Sequence, residues 1–180
     1  VDDYLKVKYK NSAGVPGRAK LAVQALVGAG AGAILYFKGF NEIFVPLYGD
    51  VALNAWLFIP FAMLTLMACS NAVNLTDGLD GLAAGCTVPT GMAYAVIAAG
   101  VGFIAPEFIN SGSSEIAVFL VALVGSCVGF LWYNSYPAQV FMGDTGSLAI
   151  GGGLGMAAIC LKQELLFIVV GAVFFLEALS

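Results

Sequence analysis

The polar segment 71–81 combines acids and amides in a position where such groups are costly. It lies between two long apolar runs and holds two carboxylates, Asp77 and Asp80, together with two asparagines. An ionisable residue at the edge of a hydrocarbon layer indicates a functional site, because its desolvation is expensive. Gly78 and Gly81 would let the backbone approach a ligand closely. A plain helix-to-helix turn needs only one glycine or asparagine, so this density of polar groups predicts a ligand site.

An acidic pair, Asp2 and Asp3, precedes a basic stretch that includes Arg18 and Lys20. Adjacent carboxylates suit a divalent cation or a proton acceptor, while Lys and Arg suit phosphate oxygens. Acidic doublets are also common on protein surfaces, so this pair alone leaves a functional role and plain solvation equally open.

The segment 134–147 is a third polar stretch, and Pro137 is expected to end the helix before it. Asp144 lies between glycines just before the next apolar run, where a carboxylate together with substrate phosphate oxygens would suit Mg²⁺. The alternative is that Asp144 or a neighbouring hydroxyl only caps a helix. Phe141 offers an aromatic face for a flat base. The segment therefore predicts a hard-cation site beside an aromatic face.

The composition places the chain in a membrane, since 61% of its residues are hydrophobic and only 10% are charged. Soluble domains carry roughly 25% charged residues. Long apolar runs separated by short polar breaks predict an all-α, polytopic transmembrane bundle rather than a barrel of short alternating strands. The cysteines lie inside these runs and are expected to pack as small apolar residues. Five spans and a sixth that begins near Leu165 are expected: Leu21–Phe37, Ala55–Ala72, Leu82–Ile104, Ile116–Tyr133 and Leu148–Leu161.

The basic residues set the orientation, because Lys and Arg collect in cytoplasmic loops. Most of them lie in segment 1–20, which is therefore predicted to be cytoplasmic. Crossing the membrane at each span then brings segments 71–81 and 134–147 to the same face. The chain has no histidine, so carboxylates beside cations favour metal-assisted phosphoryl transfer. The acids of the outer loops are expected to be solvated charges: Glu42, Asp50, Glu107, Glu115 and Glu164.

Three motifs of this chain resemble those of one enzyme family. They are Asp2-Asp3-Tyr4, the run Asn71-Ala72-Val73-Asn74-Leu75-Thr76-Asp77-Gly78-Leu79-Asp80-Gly81-Leu82-Ala83, and Phe141-Met142-Gly143-Asp144-Thr145-Gly146-Ser147. In this order they resemble the bacterial phospho-N-acetylmuramoyl-pentapeptide transferases, a family of the polyprenyl-phosphate N-acetylhexosamine-phosphate transferase superfamily. The resemblance covers nearly the whole chain.

The resemblance implies that undecaprenyl phosphate attacks UDP-N-acetylmuramoyl-pentapeptide, giving lipid I and UMP, with Mg²⁺ as the cofactor. It also implies that Asp2 and Asp3 deprotonate or orient the lipid phosphate, and that Asp144 binds magnesium or acts as a nucleophile. The other matched positions would contact substrate: Asn74, Asp77 and Asp80 as polar active-site residues, Gly78, Leu79, Asp80 and Phe141 as a uridine pocket, and either Arg18 or Lys20 as a basic residue.

Members of that family have ten spans and a late cytoplasmic histidine motif, so this chain is expected to be an interior piece of such a protein. The expected location is the bacterial inner membrane, with the site on the cytoplasmic face. Membrane lipid is an expected partner, nucleic acid is not, and a homodimer is left open. Two alternatives are kept. One is a sister transferase for N-acetylglucosamine phosphate, and the other is a cation-coupled transporter, which would place its acids near the bilayer midplane.

Overall fold

A computed structural model describes residues 16–45, 47–104 and 112–179, apart from the side chains of residues 101–104 and 178. These ranges form a helical bundle with a β-hairpin after the first helix. The predicted acidic pair Asp2 and Asp3, and most of the predicted 1–20 loop, lie outside the described residues. The elements are α1 (Gly17–Phe37), β1 (Glu42–Val45), β2 (Gly49–Ala52), α2 (Ala55–Thr76), α3 (Leu82–Ile104), α4 (Ser113–Asn134), α5 (Gly143–Cys160), α6 (Glu164–Val170) and α7 (Ala172–Leu179).

Four helices among the described residues are long and apolar enough to cross a membrane, which confirms the first four predicted spans. They are Gly17–Phe37, Ala55–Thr76, Leu82–Gly100 and Ser113–Asn134. Helix α2 continues through the first half of the polar segment 71–81, which is therefore not a loop throughout. The reason is local, because Asn71 Nδ2 donates to Met67 O and Thr76 Oγ1 donates to Ala72 O. These polar side chains are satisfied by their own helix and do not end it.

The fifth predicted span forms helix α5, which begins at Gly143 rather than Leu148 and has 18 residues. It contains Asp144 and several glycines, and it is not among the four helices of the described residues that are long and apolar enough to cross a membrane. The predicted sixth span begins at Glu164 and is divided into α6 and α7 at Gly171. A Cβ on Gly171 would lie 2.8 Å from the backbone oxygen of Phe167, so only glycine fits this tight turn.

Helix α2 lies at the centre of the described bundle and contacts α1, α5 and α7, while α3 packs along α4. Small residues permit these close approaches, as the glycine-rich runs predicted. A Cβ on Gly32 of α1 would lie 3.1 Å from Ala62 Cβ, and one on Gly151 of α5 would lie 2.4 Å from Cys69 O. This packing brings the first turn of α5 beside the end of α2, where the acidic segments lie.

The loop between α1 and α2 contains a β-hairpin that the all-α prediction missed. Strand β1 pairs antiparallel with β2, from Glu42 opposite Ala52 to Val45 opposite Gly49. The β-branched and aromatic residues of β1 favour an extended backbone. Four-residue strands give too short a pattern to be separated from a loop by sequence alone.

The prediction that the outer acids are solvated is wrong for Glu164, while Glu42 and Asp50 are partly exposed but ion-paired, and Glu107 lies outside the described residues. Lys162, in the turn after α5, forms ion pairs with Glu42 and with Asp50, the second at 3.2 Å. Burial opposes the charge of Lys162, but the hydrogen bonds and charges of these two acids outweigh it, so the pKa of Lys162 is raised. Glu164 is only 5% exposed. The sequence could not show that the hairpin folds back onto the turn between α5 and α6. Glu115 is exposed as expected.

Candidate active site

Asp144 lies in the first turn of α5, beside the end of α2 and the start of α1. Gly143 immediately before it has a φ of +68°, a backbone conformation that favours glycine. The first turn of a helix favours a negative charge, because its free N–H groups carry partial positive charge. The Asp144 side chain is 48% exposed. The fold therefore presents an ionisable carboxylate at an accessible helix end.

Side chains from two other helices hydrogen-bond to Asp144. Lys20 Nζ of α1 donates to Oδ2 at 2.9 Å, and Asn74 Nδ2 of α2 donates to Oδ1 at 3.3 Å. Asn74 Nδ2 also donates to Ser147 Oγ at 2.8 Å, and Ser147 Oγ donates to Gly143 O at 3.0 Å. Three helices thus bring a cation and an amide to one carboxylate, and the amide also binds the Ser147 hydroxyl of α5.

The sequence left Arg18 and Lys20 as alternatives for the basic residue, and the structure brings Lys20 to Asp144. The two charged side chains are 34% and 48% exposed. A partly exposed ion pair of this kind adds only about 0–1 kcal/mol to stability. Lys20 is therefore better placed to meet a ligand than to hold the helices together. Arg18 is exposed in the same turn of α1, and a role for it stays a prediction.

Asp77 caps the end of α2 and lies close to the start of α5. Its partial burial raises its pKa, a hydrogen bond from the Gly143 backbone lowers it, and the charge of Asp144 raises it again, with a net increase. Asp77 and Asp144, which come from separate motifs, are therefore close enough for their charges to repel each other. A cation or a substrate donor between them would relieve this repulsion.

Asp80 and Asn134 connect the turn after α2 to the loop before α5. Asp80 Oδ2 accepts a hydrogen bond from Ala138 N at 2.9 Å. Asn134 Oδ1 accepts from Gly81 N at 3.1 Å, and Asn134 Nδ2 donates to Val140 O at 2.9 Å. Asn134 is 3% exposed, so these bonds are shielded from water. The two loops are therefore held as one unit.

A recess of about 140 Å³ opens between these two loops. Phe141 and Leu79 are strongly exposed, at 72% and 69%, and present apolar surface beside the acids. The recess brings together the four residues that the family resemblance implies for a uridine pocket, and three more. Its lining consists of Asp77, Gly78, Leu79, Asp80, Asn134, Phe141 and Gly143.

Two larger cavities lie elsewhere in the described part of the chain. One of about 330 Å³ lies between α1, α2 and α5, and one of about 260 Å³ lies between α2, α6 and α7. Their lining side chains are almost all apolar. Polar group transfer needs ionisable groups, so the smaller recess beside Asp144 is the candidate site.

Comparison with known proteins shows the family of the chain. A family model described as Glycosyl transferase family 4 matches residues 1–162. The chain belongs to glycosyl transferase family 4. Proteins named phospho-N-acetylmuramoyl-pentapeptide-transferase are among its relatives.

The relative from Methylacidiphilum infernorum is 46% identical over 99% of this chain and 52% of the relative. Those of Citrifermentans bemidjiense and Sorangium cellulosum are 48% and 41% identical over 100% of this chain, covering 52% and 54% of the relatives. The chain thus spans about half the length of the curated relatives it matches.

Within this member of glycosyl transferase family 4, the predicted site residues form two groups, and Asp2, Asp3 and Arg18 belong to neither. Lys20, Asn74 and Asp144 meet at the junction of three helices, and the recess residues line the adjacent loops. Asp2 and Asp3 lie outside the described residues, so their place in the site stays a prediction.

Two site residues of this family member escaped the sequence reasoning. The sequence analysis used Asn134 only as the first residue of a polar segment. It considered the hydroxyl of Ser147 only as a possible helix cap. A buried amide at the end of an apolar helix is a signal that could have identified Asn134, because it must find partners in the neighbouring loops. No comparable signal marks Ser147, whose bond to Asn74 depends on how α5 packs against α2.

Proposed function

We propose that this chain forms the membrane-embedded core of an enzyme that transfers phospho-N-acetylmuramoyl-pentapeptide from UDP to undecaprenyl phosphate. The products would be lipid I and UMP, as in a step of peptidoglycan synthesis. The names of its relatives support this reaction. The observation that carries the proposal is the meeting of Lys20, Asn74 and Asp144 beside the recess that holds Phe141.

The recess is suited to the uridine end of the sugar nucleotide. A pyrimidine could lie against the exposed ring of Phe141, which supplies a flat apolar face. Asp80 is fixed by Ala138 N, so its carboxylate would be held ready to accept an N–H from the base. The turn at Gly78 and Leu79 would form the opposite wall. The nucleoside would thereby place its phosphates toward the first turn of α5.

The phosphate chain would then meet Lys20 and Asp144. In the proposed reaction a lipid phosphate oxygen attacks the sugar-linked phosphorus, and the bond from that phosphorus to the oxygen of UMP breaks. Negative charge develops on the departing UMP oxygen. The Lys20 ammonium would stabilise this charge, and Asn74 would keep Asp144 oriented through its hydrogen bond.

The donor set fits a magnesium ion that is shared with the substrate. No three acidic or cysteine side chains cluster as metal ligands among residues 16–45, 47–104 and 112–179. Magnesium, however, commonly takes one or two protein carboxylates together with substrate phosphates and water. The hard oxygens of Asp144 and the nearby Asp77 match that preference. When bound, the ion would supply charge neutralisation at the pyrophosphate.

The lipid acceptor would approach from the membrane side of the same helix ends. Asp2 and Asp3 are proposed to orient its phosphate, on the strength of the motif resemblance. The site would face the cytoplasm of a bacterial inner membrane, since the basic segment 1–20 is expected on the cytoplasmic side and Lys20 at its end reaches Asp144. A cytoplasmic sugar nucleotide would then reach the site directly.

Purified full-length protein that contains this chain provides the test. It would be supplied with Mg²⁺, undecaprenyl phosphate and UDP-N-acetylmuramoyl-pentapeptide, and UMP and the lipid-linked sugar would be measured. The proposal expects both products, and expects UDP-N-acetylglucosamine to be a poor donor. Efficient turnover of UDP-N-acetylglucosamine with none of the muramoyl donor would identify a sister transferase instead. Absence of turnover with both donors, in folded protein, would contradict the proposed reaction.

A further inference from the structure

Helices α1 and α2 are joined by a reciprocal pair of side-chain amides. Asn71 Nδ2 donates to Gln24 Oε1 at 2.8 Å, and Gln24 Nε2 donates to Asn71 Oδ1 at 3.3 Å. Asn71 Nδ2 also donates to Met67 O of its own helix at 2.7 Å. The amide of Asn71 thus uses its oxygen and both of its N–H groups, so its orientation is fixed.

This pair lies inside two predicted spans, at half-buried positions. Polar groups in such surroundings must find partners within the protein, because little water is available to replace them. A two-way amide contact is directional, so it opposes both sliding and rotation of α1 against α2. The small residues farther along the interface, such as Gly32 against Ala62, allow close approach but offer no comparable directional bond.

The amide pair lies one helical turn away from the candidate active site on both helices. Gln24 follows Lys20 by four residues, and Asn71 precedes Asn74 by three. One turn of helix is about 5.4 Å. Lys20 and Asn74 both bond to Asp144. The amide pair therefore fixes α1 and α2 in the relative position at which Lys20 and Asn74 reach the same carboxylate.

We propose that Gln24 and Asn71 are positioning residues that hold α1 in register with α2 and thereby deliver the Lys20 ammonium to Asp144. The proposal rests on the proposed transferase function for its kinetic consequence. Gln24 acts through Lys20 and does not touch the reacting groups. Removing the amide of Gln24 therefore weakens the placement of Lys20 while leaving Lys20 itself intact.

The kinetic test compares the same substitution in two backgrounds of the full-length protein. Gln24→Leu should lower kcat about tenfold when Lys20 is present, with the KM for the sugar nucleotide little changed. In a Lys20→Gln background the same substitution should change kcat by less than about twofold, because the residue through which it acts is gone. Ser126→Ala is the matched control, since it removes a polar group of a span whose bond stays within its own helix. An equal fall in kcat in both backgrounds would assign the pair to general stability and overturn the proposal.

A rescue experiment separates the amide contact from side-chain volume. The double variant Gln24→Asn with Asn71→Gln keeps two amides of the same combined length. The double variant should retain more activity than Gln24→Leu or Asn71→Leu alone. No recovery above the leucine variants, in folded protein, would count against a directional amide contact.

A structural readout makes the register claim independent of the reaction. Genetically encoded spin labels at Val23 and Leu75, which are 60% and 61% exposed, report the distance between the cytoplasmic ends of α1 and α2. Gln24→Leu should broaden this distance distribution, and Gln24→Ala gives the same comparison if the leucine variant does not fold. An unchanged distribution would overturn the positioning role. A broadened distribution in a protein without transferase activity would contradict the proposed function and leave the register claim standing.

Discussion

The candidate recess is held by a few partly buried hydrogen bonds that leave the exposed rim free for a ligand. Asn134 and Asp80 fix the two loops through backbone partners, so the floor of the recess is preorganised. Phe141 and Leu79 make up its exposed rim. A rigid floor with an aromatic rim binds a flat ligand at low cost in conformational entropy.

Replacing Phe141 with alanine should weaken binding of the sugar nucleotide more than binding of the lipid. Loss of an aromatic stacking surface costs about 1–3 kcal/mol, which corresponds to roughly a 5- to 150-fold rise in Kd. Tyr136→Ala is the control, because Tyr136 is 87% exposed in the same segment but does not line the recess. Titration of UDP-sugar binding and separate KM values for the two substrates would measure the effect. Equal losses for both substrates would mean that Phe141 serves packing rather than base recognition.

The sequence identified the site residues whose types are unusual for a membrane helix end. Asp77, Asp80 and Asp144 were expected because charge is costly there. The choice between Arg18 and Lys20 required the packing of both α1 and α5 against α2, which brings Lys20 to Asp144. Asn134 was also not predicted as a site residue, because its role depends on two backbone partners that only folding brings close to it.

Close contact between α2 and α5 determines where Asp144 lies relative to Asn74. Gly151 meets the α2 backbone near Cys69, and Ser70 Oγ donates to Leu148 O at 2.5 Å. The first turn of α5 is two turns away from this contact. A change in helix separation here would therefore be transmitted directly to the carboxylate.

Gly151→Ala should push α5 away from α2 and reduce both stability and activity. The added Cβ would lie 2.4 Å from Cys69 O, and overpacking of this kind costs typically about 1–3 kcal/mol. Gly152→Ala in the same helix is the matched control, since its Cβ would lie 3.7 Å from the nearest atom, Ser70 Oγ. Thermal unfolding in detergent and the transfer rate would be compared for both variants. Similar behaviour of the two variants would show that the α2–α5 contact is not close enough to matter.

Helices were predicted well where hydrophobicity alone determines them. The first four spans follow from long apolar runs. The hairpin and the break at Gly171 did not follow, because short strands and tight turns depend on contacts with Lys162 and Phe167 rather than on a long pattern. The extension of α2 to Thr76 was missed because side chains such as Asn71 satisfy themselves on their own helix.

Among the described residues, the acids with candidate roles, Asp77, Asp80 and Asp144, lie at one end of the helices, and the hairpin lies at the other. The ion pairs of Lys162 with Glu42 and Asp50 hold the hairpin to the turn after α5. A transporter would require its acids near the middle of the spans. The position of Asp77 and Asp144 at helix ends instead favours chemistry at a membrane surface.

Reporter cysteines in intact cells should distinguish the two ends. Tyr48 at the hairpin tip and Tyr136 in the loop before α5 are 86% and 87% exposed, so access to reagent differs only by the side of the membrane. A membrane-impermeant thiol reagent should label a cysteine at position 48 and spare one at position 136 until the cells are permeabilised. The native cysteines are buried or half-buried. The reverse labelling pattern would place the acids outside the cell and contradict a cytoplasmic sugar-nucleotide site.

Asp144→Asn in the full-length protein tests the central claim most directly, because it keeps the shape of the side chain and removes its charge. Under the proposed function Asp144 would hold a Mg²⁺ ion, whose charge would neutralise the pyrophosphate and so stabilise the transition state electrostatically. The measurement is the rate of UMP and lipid I formation as a function of Mg²⁺ concentration, with folding checked by thermal unfolding. The account predicts folded protein, a rate lower by about 100-fold or more, and a weakened dependence on Mg²⁺. A helix-capping role predicts almost no change, since asparagine caps about as well as aspartate. An Asn variant with a near-normal rate and Mg²⁺ dependence would remove Asp144 from the site.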